Sequence, residues 1–217
     1  MAIRISKTSK LDNVKSWSLQ ALETCAGSTD EKGDLVEACS GCYATTGHYM
    51  MPHVKEPRAE NKEDWKREDW VTDMTKELTK ESWFRWFDSG DMYSVSLAKK
   101  MLDVMKATPS TKHWLPTRMD KFVKFQAIIA EMQKLDNVVV RFSSDSITGD
   151  FIAGLHGSVI IPDHDSAPAG VTVCDAYERE GKCSVCRACY DKKIDVIAYP
   201  QHGRKMRKVF KMMLETA

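Results

Sequence analysis

The sequence has no long hydrophobic segment. None of its apolar runs approaches the ~18 residues that a membrane-spanning helix requires, and residues 1–15 are polar and mixed in charge, unlike the apolar stretch of a signal peptide. Hydrophobic residues still make up 42% of the 217 positions, enough for one buried core. We therefore expect a single cytoplasmic domain over residues 1–217, with no membrane among its partners.

Net charge is also nearly absent. The formal value of +1 excludes a strong overall attraction to nucleic acid or to anionic lipid. A local basic segment lies at residues 203–211, where Met206, Val209 and Phe210 alternate with lysines and arginines at helical spacing. We interpret it as an amphipathic helix with a solvated basic face, and contact with nucleic acid through that face is the alternative.

Cysteine is absent from the middle of the chain. The seven cysteines form two groups, and residues 43–173 between them contain none. An odd number excludes complete internal disulfide pairing, and the reducing cytosol disfavours disulfides in any case, so the distribution indicates metal binding. The first group has the spacing C-x13-C-x2-C and the second, in a cysteine-rich segment at 174–190, has C-x8-C-x2-C-x2-C: these are Cys25, Cys39 and Cys42, and then Cys174, Cys183, Cys186 and Cys189.

The spacing of the second group favours iron–sulfur chemistry. Two consecutive x2 gaps bring three thiolates around one small volume, as in ferredoxins that bind a cubane cluster, and the fourth cysteine can complete the ligation. The first group offers three thiolates, so one iron of a second [4Fe–4S] cluster would keep an open position. We therefore expect two [4Fe–4S] clusters, with a small-molecule ligand or an electron donor as the partner.

Zinc is the alternative for both groups. Four-cysteine zinc sites commonly separate two C-x2-C pairs by ~12–20 residues, whereas the second group packs three cysteines closely together. For the first group, zinc would need a fourth ligand, which His48 or His53 could supply. On this alternative the chain is a zinc-stabilised interaction or nucleic-acid-binding module.

Hydrophobic periodicity predicts strands that alternate with helices. Such alternation, with helices of ~10–15 residues, is typical of βαβ units. The predicted fold is α/β, either a partial (β/α) barrel or an open parallel sheet, with the cysteine-bearing loops at the carboxyl ends of the strands. Strands are predicted at 83–87, 113–118, 137–143, 171–174 and 194–199, helices at 94–107, 121–135 and 204–214, and a helical apolar face over 53–81.

In both architectures ligands bind at the carboxyl ends of the parallel strands. Polar residues follow three predicted strands in succession, which makes them candidates for cofactor binding, although each could instead form a turn or cap a helix. Arg118 could hold a carboxylate or phosphate, or pair with Asp120 or another strand end. No residue is singled out as catalytic. The candidates are Asp88, Ser89, Gly90, Asp91, Thr117, Arg118, Ser143, Ser144 and Asp145, with Tyr199, Gln201 and His202 after the last strand.

Several of these segments together resemble the phage-encoded gene product 88 family. The resemblance covers about Ser16 to Cys189, and its most specific parts are Cys-x2-Cys-Tyr-Ala at 39–44 and Ser-Gly-Asp at 89–91. That family resembles, in turn, a shortened radical S-adenosylmethionine (SAM) enzyme. The other matching motifs are Ser-Trp-Ser-Leu at 16–19, Leu-Glu-Thr-Cys at 22–25, Arg-Trp-Phe-Asp at 85–88, Pro-Thr-Arg at 116–118 and Arg-Phe-Ser-Ser-Asp at 141–145.

The resemblance implies a role for each candidate site. The first cysteine group would hold the cluster with the open iron, although its spacing differs from the C-x3-C-x2-C usual in radical SAM enzymes. Residues 89–91 would hold the amino group of SAM, and residues 143–145 would face its ribose or carboxylate. Asp91 could instead cap the helix at 94–107. The second group would hold an auxiliary cluster for electron transfer in the host cytoplasm, and an oxidoreductase or transferase activity would follow only if SAM binds.

Overall fold

A computed structural model describes residues 3–216. One eight-stranded sheet forms its centre, accompanied by six helices. The strands are β1 (Ser6–Thr8), β2 (Val14–Trp17), β3 (Trp83–Trp86), β4 (Lys112–Thr117), β5 (Val138–Ser143), β6 (Gly157–Ile161), β7 (Thr172–Val173) and β8 (Val196–Pro200). The helices are α1 (Glu37–Ser40), α2 (Pro52–Asp64), α3 (Trp70–Leu78), α4 (Val95–Ala107), α5 (Val123–Gln133) and α6 (Arg204–Thr216).

The sheet is parallel except at one edge. β1 and β2 are antiparallel, and every later pair of neighbours is parallel. The strand order is β1-β2-β3-β4-β5-β6-β8-β7, so neighbours follow the chain from β2 to β6. The α/β class with a mostly parallel sheet is therefore confirmed. Among the described strands, β1 and β7 form the edges of the sheet. This order is compatible with both predicted architectures, a partial barrel and an open sheet.

The sheet separates two different environments. Successive side chains of a strand point to opposite faces. On the helix face, Phe84 and Trp86 of β3 join a large apolar core with buried residues of α3, α4 and α5. On the cysteine face, Trp83 and Trp114 pack against Tyr190 at ring separations of 5.0 and 5.8 Å. The cysteine-rich segment thus lies over the face opposite the helical core.

The helical pattern over 53–81 is divided between two helices, α2 and α3. On one continuous helix, residues five apart would point about 140° away from each other. Trp65 and Trp70 are nevertheless both buried in the same core, because the chain breaks helical geometry between them. Arg67 lies in this break and pairs with Asp64, Asp69 and Asp73 at 2.6–2.8 Å.

The other predicted elements agree with the structure apart from their ends. The strands predicted at 83–87, 113–118 and 137–143 are β3, β4 and β5, and the three predicted helices are α4, α5 and α6. β7 is shorter than predicted and β8 begins later. Within residues 3–216, no helix combines the length and the apolar composition needed to cross a membrane.

Candidate functional site

A cavity of about 320 Å³ lies at the carboxyl edge of the sheet. It is lined by residues that end or follow β3, β4, β5 and β8. The strand ends chosen from the sequence and the cavity therefore lie at the same edge of the sheet. Of the candidates from the sequence, Asp145 is not part of the described lining. Those that line it are Asp88, Ser89, Gly90, Asp91, Thr117, Arg118, Ser143, Ser144, Tyr199, Gln201 and His202.

Both cysteine groups reach this one cavity. All seven thiols are free. Cys186 is described but does not line the cavity. Within residues 3–216, no three or more His, Cys, Asp and Glu side chains are placed to hold a single metal ion. The lining cysteines are Cys25, Cys39, Cys42, Cys174, Cys183 and Cys189.

The first group lies in the long connection between β2 and β3. Residues 27–38 form a loop, closed by a bridge between Thr29 and Leu35. Separate contacts fix the loop to the strand ends: the Lys121 ammonium donates to the Gly27 carbonyl at 2.9 Å, and Ala38 N–H donates to the Asp145 carbonyl at 2.9 Å. Two separate hydrogen bonds therefore hold the loop against the rest of the chain.

Gly27 makes one of these contacts possible. A Cβ atom at this position would lie 2.6 Å from both Cβ and the carbonyl oxygen of Arg118. Only glycine allows the loop that carries Cys25 to approach the end of β4 so closely.

Cys39 is buried and Cys25 is partly buried, in surroundings that disfavour a negative charge on sulfur. Desolvation raises the pKa of Cys25 to about 12, and the negative charge of Asp91 and the nearby Cys39 and Cys42 add to this effect. Burial also raises the pKa of Cys39, against a lowering by Arg118. Thiolates at this position therefore need a cationic partner.

The second group is organised by Arg141, which points from β5 to the cysteine face and is fully buried. Its guanidinium has five N–H donors. Each donates to a different backbone carbonyl at 2.9–3.1 Å. One side chain thus fixes the path of the chain around the last cysteine. The acceptors are the carbonyls of Ala188, Cys189, Asp191, Ile194 and Asp195.

Two further contacts hold the second group. Cys183 N–H donates to the Lys10 carbonyl at 2.8 Å, which joins the cysteine-rich segment to the chain before β2. The Tyr199 hydroxyl lies 3.2 Å from Cys189 Sγ. Burial raises the pKa of Cys189 to about 11, although the contacts with Tyr199 and Arg141 lower it.

Asp91 is buried and holds the ends of two strands together. Its Oδ1 accepts hydrogen bonds from Met92 N–H at 2.7 Å and from the Thr117 hydroxyl at 2.8 Å, and its Oδ2 accepts one from Arg118 N–H at 2.9 Å. Burial nevertheless raises the pKa of the carboxyl to about 6. The alternative in which Asp91 caps the following helix is wrong, because α4 begins at Val95 with Ser94 as its N-cap.

Asp88 and Ser89 belong to a network that the sequence analysis did not anticipate. Arg58, buried in α2, donates to both carboxylate oxygens of Asp88 at 3.2 Å and to the Ser89 hydroxyl at 2.6 Å. The Ser18 hydroxyl also donates to Asp88. Arg58 is one cation among many in a strongly charged helix, so no local pattern marked it.

Gly90 has a structural reason to be glycine. Its φ is +80°, and a Cβ atom there would lie 2.6 Å from Leu19 Cβ. The close neighbour is the chain after β2, so the glycine permits this chain-to-chain packing.

Arg118 pairs with another strand end, as one of its predicted alternatives required. Its Nε lies 3.3 Å from Asp145 Oδ1, and its Nη2 donates to the Ser144 carbonyl at 2.6 Å. Lys121 also contacts Asp145 at 2.5 Å. Asp145 therefore acts as an anchor for two cations at the cavity edge.

The two histidines considered as zinc ligands lie outside the cavity lining. The rings of His48 and His53 are 5.2 Å apart, one in the turn before α2 and the other at the start of α2.

Arg85 and Tyr43 line the same cavity, and neither was among the candidates from the sequence. Arg85 lies within β3, on the cysteine face, and its Cζ is 4.6 Å from the centre of the Trp114 ring. Tyr43, directly after Cys42, donates its hydroxyl to the Asp88 carbonyl at 2.6 Å. Both residues belong to motifs that match the resembled family, Tyr43 at 39–44 and Arg85 at 85–88, but no pattern of the residues themselves marked either as part of a site.

Comparisons with known proteins give one result. No curated protein and no solved structure shows significant similarity to this chain. The gene product 88 family matches it over residues 3–207, which is nearly the whole sequence. The chain therefore belongs to the gene product 88 family.

Proposed function

We propose that this protein is a radical SAM-like iron–sulfur protein. The first cysteine group would hold a [4Fe–4S] cluster with one open iron, and the second group would hold a fully ligated [4Fe–4S] cluster. The observation that carries the proposal is the meeting of both groups at one cavity on the carboxyl edge of a parallel sheet. In α/β proteins this edge is where ligands bind.

The cysteine spacing fits a polynuclear cluster. In a cubane cluster each cysteine binds a different iron, so the four sulfur atoms stand farther apart than the ~4 Å of a tetrahedral zinc site. Free thiols from both groups line one cavity of about 320 Å³, which leaves room for this wider arrangement.

The small-molecule ligand would lie beside the first group. Asp91 accepts three hydrogen bonds from the protein, and a carboxylate offers about four acceptor positions, so one remains for a cationic group of the ligand. The resemblance to radical SAM enzymes makes SAM the first candidate. When bound, a reduced cluster of this type supplies an electron to a molecule at its open iron.

Metal analysis of anaerobically purified protein tests the cluster proposal. We expect ~8 irons per chain, with ~4 lost in Cys42→Ser and a different ~4 lost in Cys186→Ala. Ser40→Ala, beside Cys39, is the matched control and should retain all of the iron. Stoichiometric zinc without iron in the native protein would refute the proposal and favour a zinc-stabilised module.

Calorimetric titration of SAM tests the ligand. Asp91→Asn should weaken binding by roughly tenfold to a hundredfold, because the cationic amino group of SAM loses its anionic acceptor and keeps only a neutral one. Asp120→Asn, a nearby carboxyl outside the cavity lining, is the control. Equal affinity in wild type and Asp91→Asn, or no binding to either, would remove SAM from the proposal without affecting the clusters.

A further inference from the structure

Arg85 brings a positive charge into the cavity. It lies in β3 opposite Trp114 of β4, and its guanidinium stacks on that indole. Both side chains line the cavity, on the face of the sheet that the cysteine-rich segment covers. The guanidinium is thus held in place by an aromatic ring, in the cavity that both cysteine groups line.

The charge of Arg85 shares its nearest carboxylate with another arginine. Among residues 3–216, no acidic side chain forms an ion pair with Arg85 within 4.0 Å. Against the effect of burial, the charges of Arg85 and Arg58 both lower the pKa of Asp88, and Arg58 hydrogen-bonds both of its carboxylate oxygens. The other cavity arginine, Arg118, has Asp145 as its partner. One carboxylate beside two arginines leaves an excess positive charge, and such a charge in a partly buried place is unfavourable unless an anion binds beside it.

The hydrogen-bond donors of Arg85 are also incompletely used. Tyr43 lies beside the guanidinium, and its hydroxyl donates to the Asp88 carbonyl. Arg85 Nε is buried and has no partner. A planar guanidinium with free donors matches the paired oxygens of a carboxylate or phosphate.

We propose that Arg85 binds the oxyanion of a small organic molecule, a carboxylate or a phosphate ester, inside this cavity. The neighbouring lining is apolar at Trp114, Pro116, Val159 and Ile160. The body of the molecule is therefore apolar or aromatic. The inference rests on the proposed function for the role of the cavity, but it does not require that a cluster be bound.

Two aromatic anions and one neutral analogue test the inference. Benzoate, phenyl phosphate and benzyl alcohol are titrated into anaerobically purified protein and followed by ligand-detected NMR. We expect one oxyanion to bind and benzyl alcohol not to bind. Tighter binding of benzoate assigns a carboxylate, and tighter binding of phenyl phosphate assigns a phosphate ester.

Variants then show whether Arg85 is the group that binds. Arg85→Gln should weaken oxyanion binding by tenfold to a hundredfold, and Arg85→Lys by less, because lysine keeps the charge but not the planar fork. Arg207→Gln, an exposed arginine on α6, is the matched control and should bind as wild type does. Near-ultraviolet circular dichroism checks folding, and Arg85→Lys provides the comparison if Arg85→Gln does not fold.

Iron content measured on the same samples separates this inference from the proposed function. Iron-loaded protein that binds neither oxyanion overturns the inference and leaves the cluster proposal standing. Iron-free protein that binds an oxyanion through Arg85 supports the inference and refutes the clusters. If Arg85→Gln shifts the reduction potential of the metal centre while no oxyanion binds, Arg85 is the counter-ion of that centre and the inference is wrong.

Discussion

The two faces of the sheet use the same strands for different purposes. On the helix face, alternate residues of β3 and β5 are apolar and join one continuous core. On the cysteine face, the same strands present Arg85 and Arg141 to a segment of loops and thiols. The helix face therefore supplies stability, and the cysteine face arranges polar groups around a cavity. Substitutions on each face should therefore differ in their effects on stability and on metal content.

The largest loss of stability is expected at Arg141, because this one side chain affects both the stability of the fold and the arrangement of the cysteine face. Arg141→Met leaves five carbonyls of the cysteine-rich segment without donors in a buried place. The free energy of unfolding should fall by ~3–5 kcal/mol, and iron should be lost from the second group. Chemical denaturation and iron analysis measure the two effects.

Arg207→Met, on the exposed side of α6, is the control for Arg141→Met. It should change stability by no more than ~0.5 kcal/mol. A stable Arg141→Met protein with full iron content would show that the five hydrogen bonds of Arg141 are dispensable. The two faces of the sheet would then differ less in their effects on stability and metal content.

The next largest effect is a pH dependence on the helix face. His113 Nδ1 accepts a hydrogen bond from Trp86 Nε1–H at 3.2 Å, and its Nε2 contacts the Thr108 hydroxyl at 3.0 Å. Burial lowers the pKa of His113 to about 4. The unfolded chain, with a His pKa of ~6.5, then binds more protons than the folded chain between these values.

Stability should therefore fall as the pH decreases from ~6.5 to ~4, by up to ~3 kcal/mol from this residue. Urea denaturation between pH 4 and 7 measures it, and His113→Gln should flatten the profile whereas the exposed His164→Gln should not. Iron per folded chain should be the same in His113→Gln and wild type at pH 7. If the stability of His113→Gln falls with decreasing pH in the same way as that of wild type, the acid sensitivity arises from other groups.

A smaller effect is expected where the first cysteine group meets β4. Gly27→Ala places a Cβ 2.6 Å from Arg118, so the loop must move away. We expect a loss of ~1–3 kcal/mol and of iron from the first group only. Gly33→Ala, with open space around its Cβ but a φ of +87°, should show backbone strain of ~1 kcal/mol and full iron content. Loss of iron from both groups in Gly27→Ala would mean that the two sites assemble together.

The smallest change removes one hydroxyl. Tyr199→Phe deletes the contact with Cys189 Sγ, and hydrogen bonds to ligand sulfur raise the reduction potential of iron–sulfur clusters. The potential of the second centre should decrease, with stability changed by less than ~1 kcal/mol. Tyr190→Phe is the control, because the buried Tyr190 hydroxyl has no partner. An unchanged potential in Tyr199→Phe, by redox titration, would show that this contact does not tune the centre.

The sequence predicted β3, β4 and β5 because they are apolar and continuous. It did not predict β1, β6 or β2, and the four residues of β2 include Lys15 and the fully buried Ser16. Lys15 pairs with Glu77 and Glu81, which are distant in sequence. β2 is a strand because it pairs with β3, and such pairing has no local signature.

The candidate site was predictable in its location and not in its internal contacts. Strand ends and cysteine spacing pointed to the residues that line the cavity. Arg141 was identified only as part of a strand motif, since its five acceptors lie 47 to 54 residues further along the chain. Arg58 and Arg85 depend in the same way on contacts that only the folded chain creates.

The five hydrogen bonds of Arg141 also affect which positions of the sequence can vary. The guanidinium recognises carbonyl oxygens, which every amino acid possesses, so it places no requirement on the side chains at Ala188, Asp191, Ile194 and Asp195. These positions can diverge while the loop keeps its shape, provided that the backbone conformation is tolerated. Arg141 itself has no substitute with five donors. Substitutions should therefore accumulate at these loop positions and be rare at Arg141, which holds the loop.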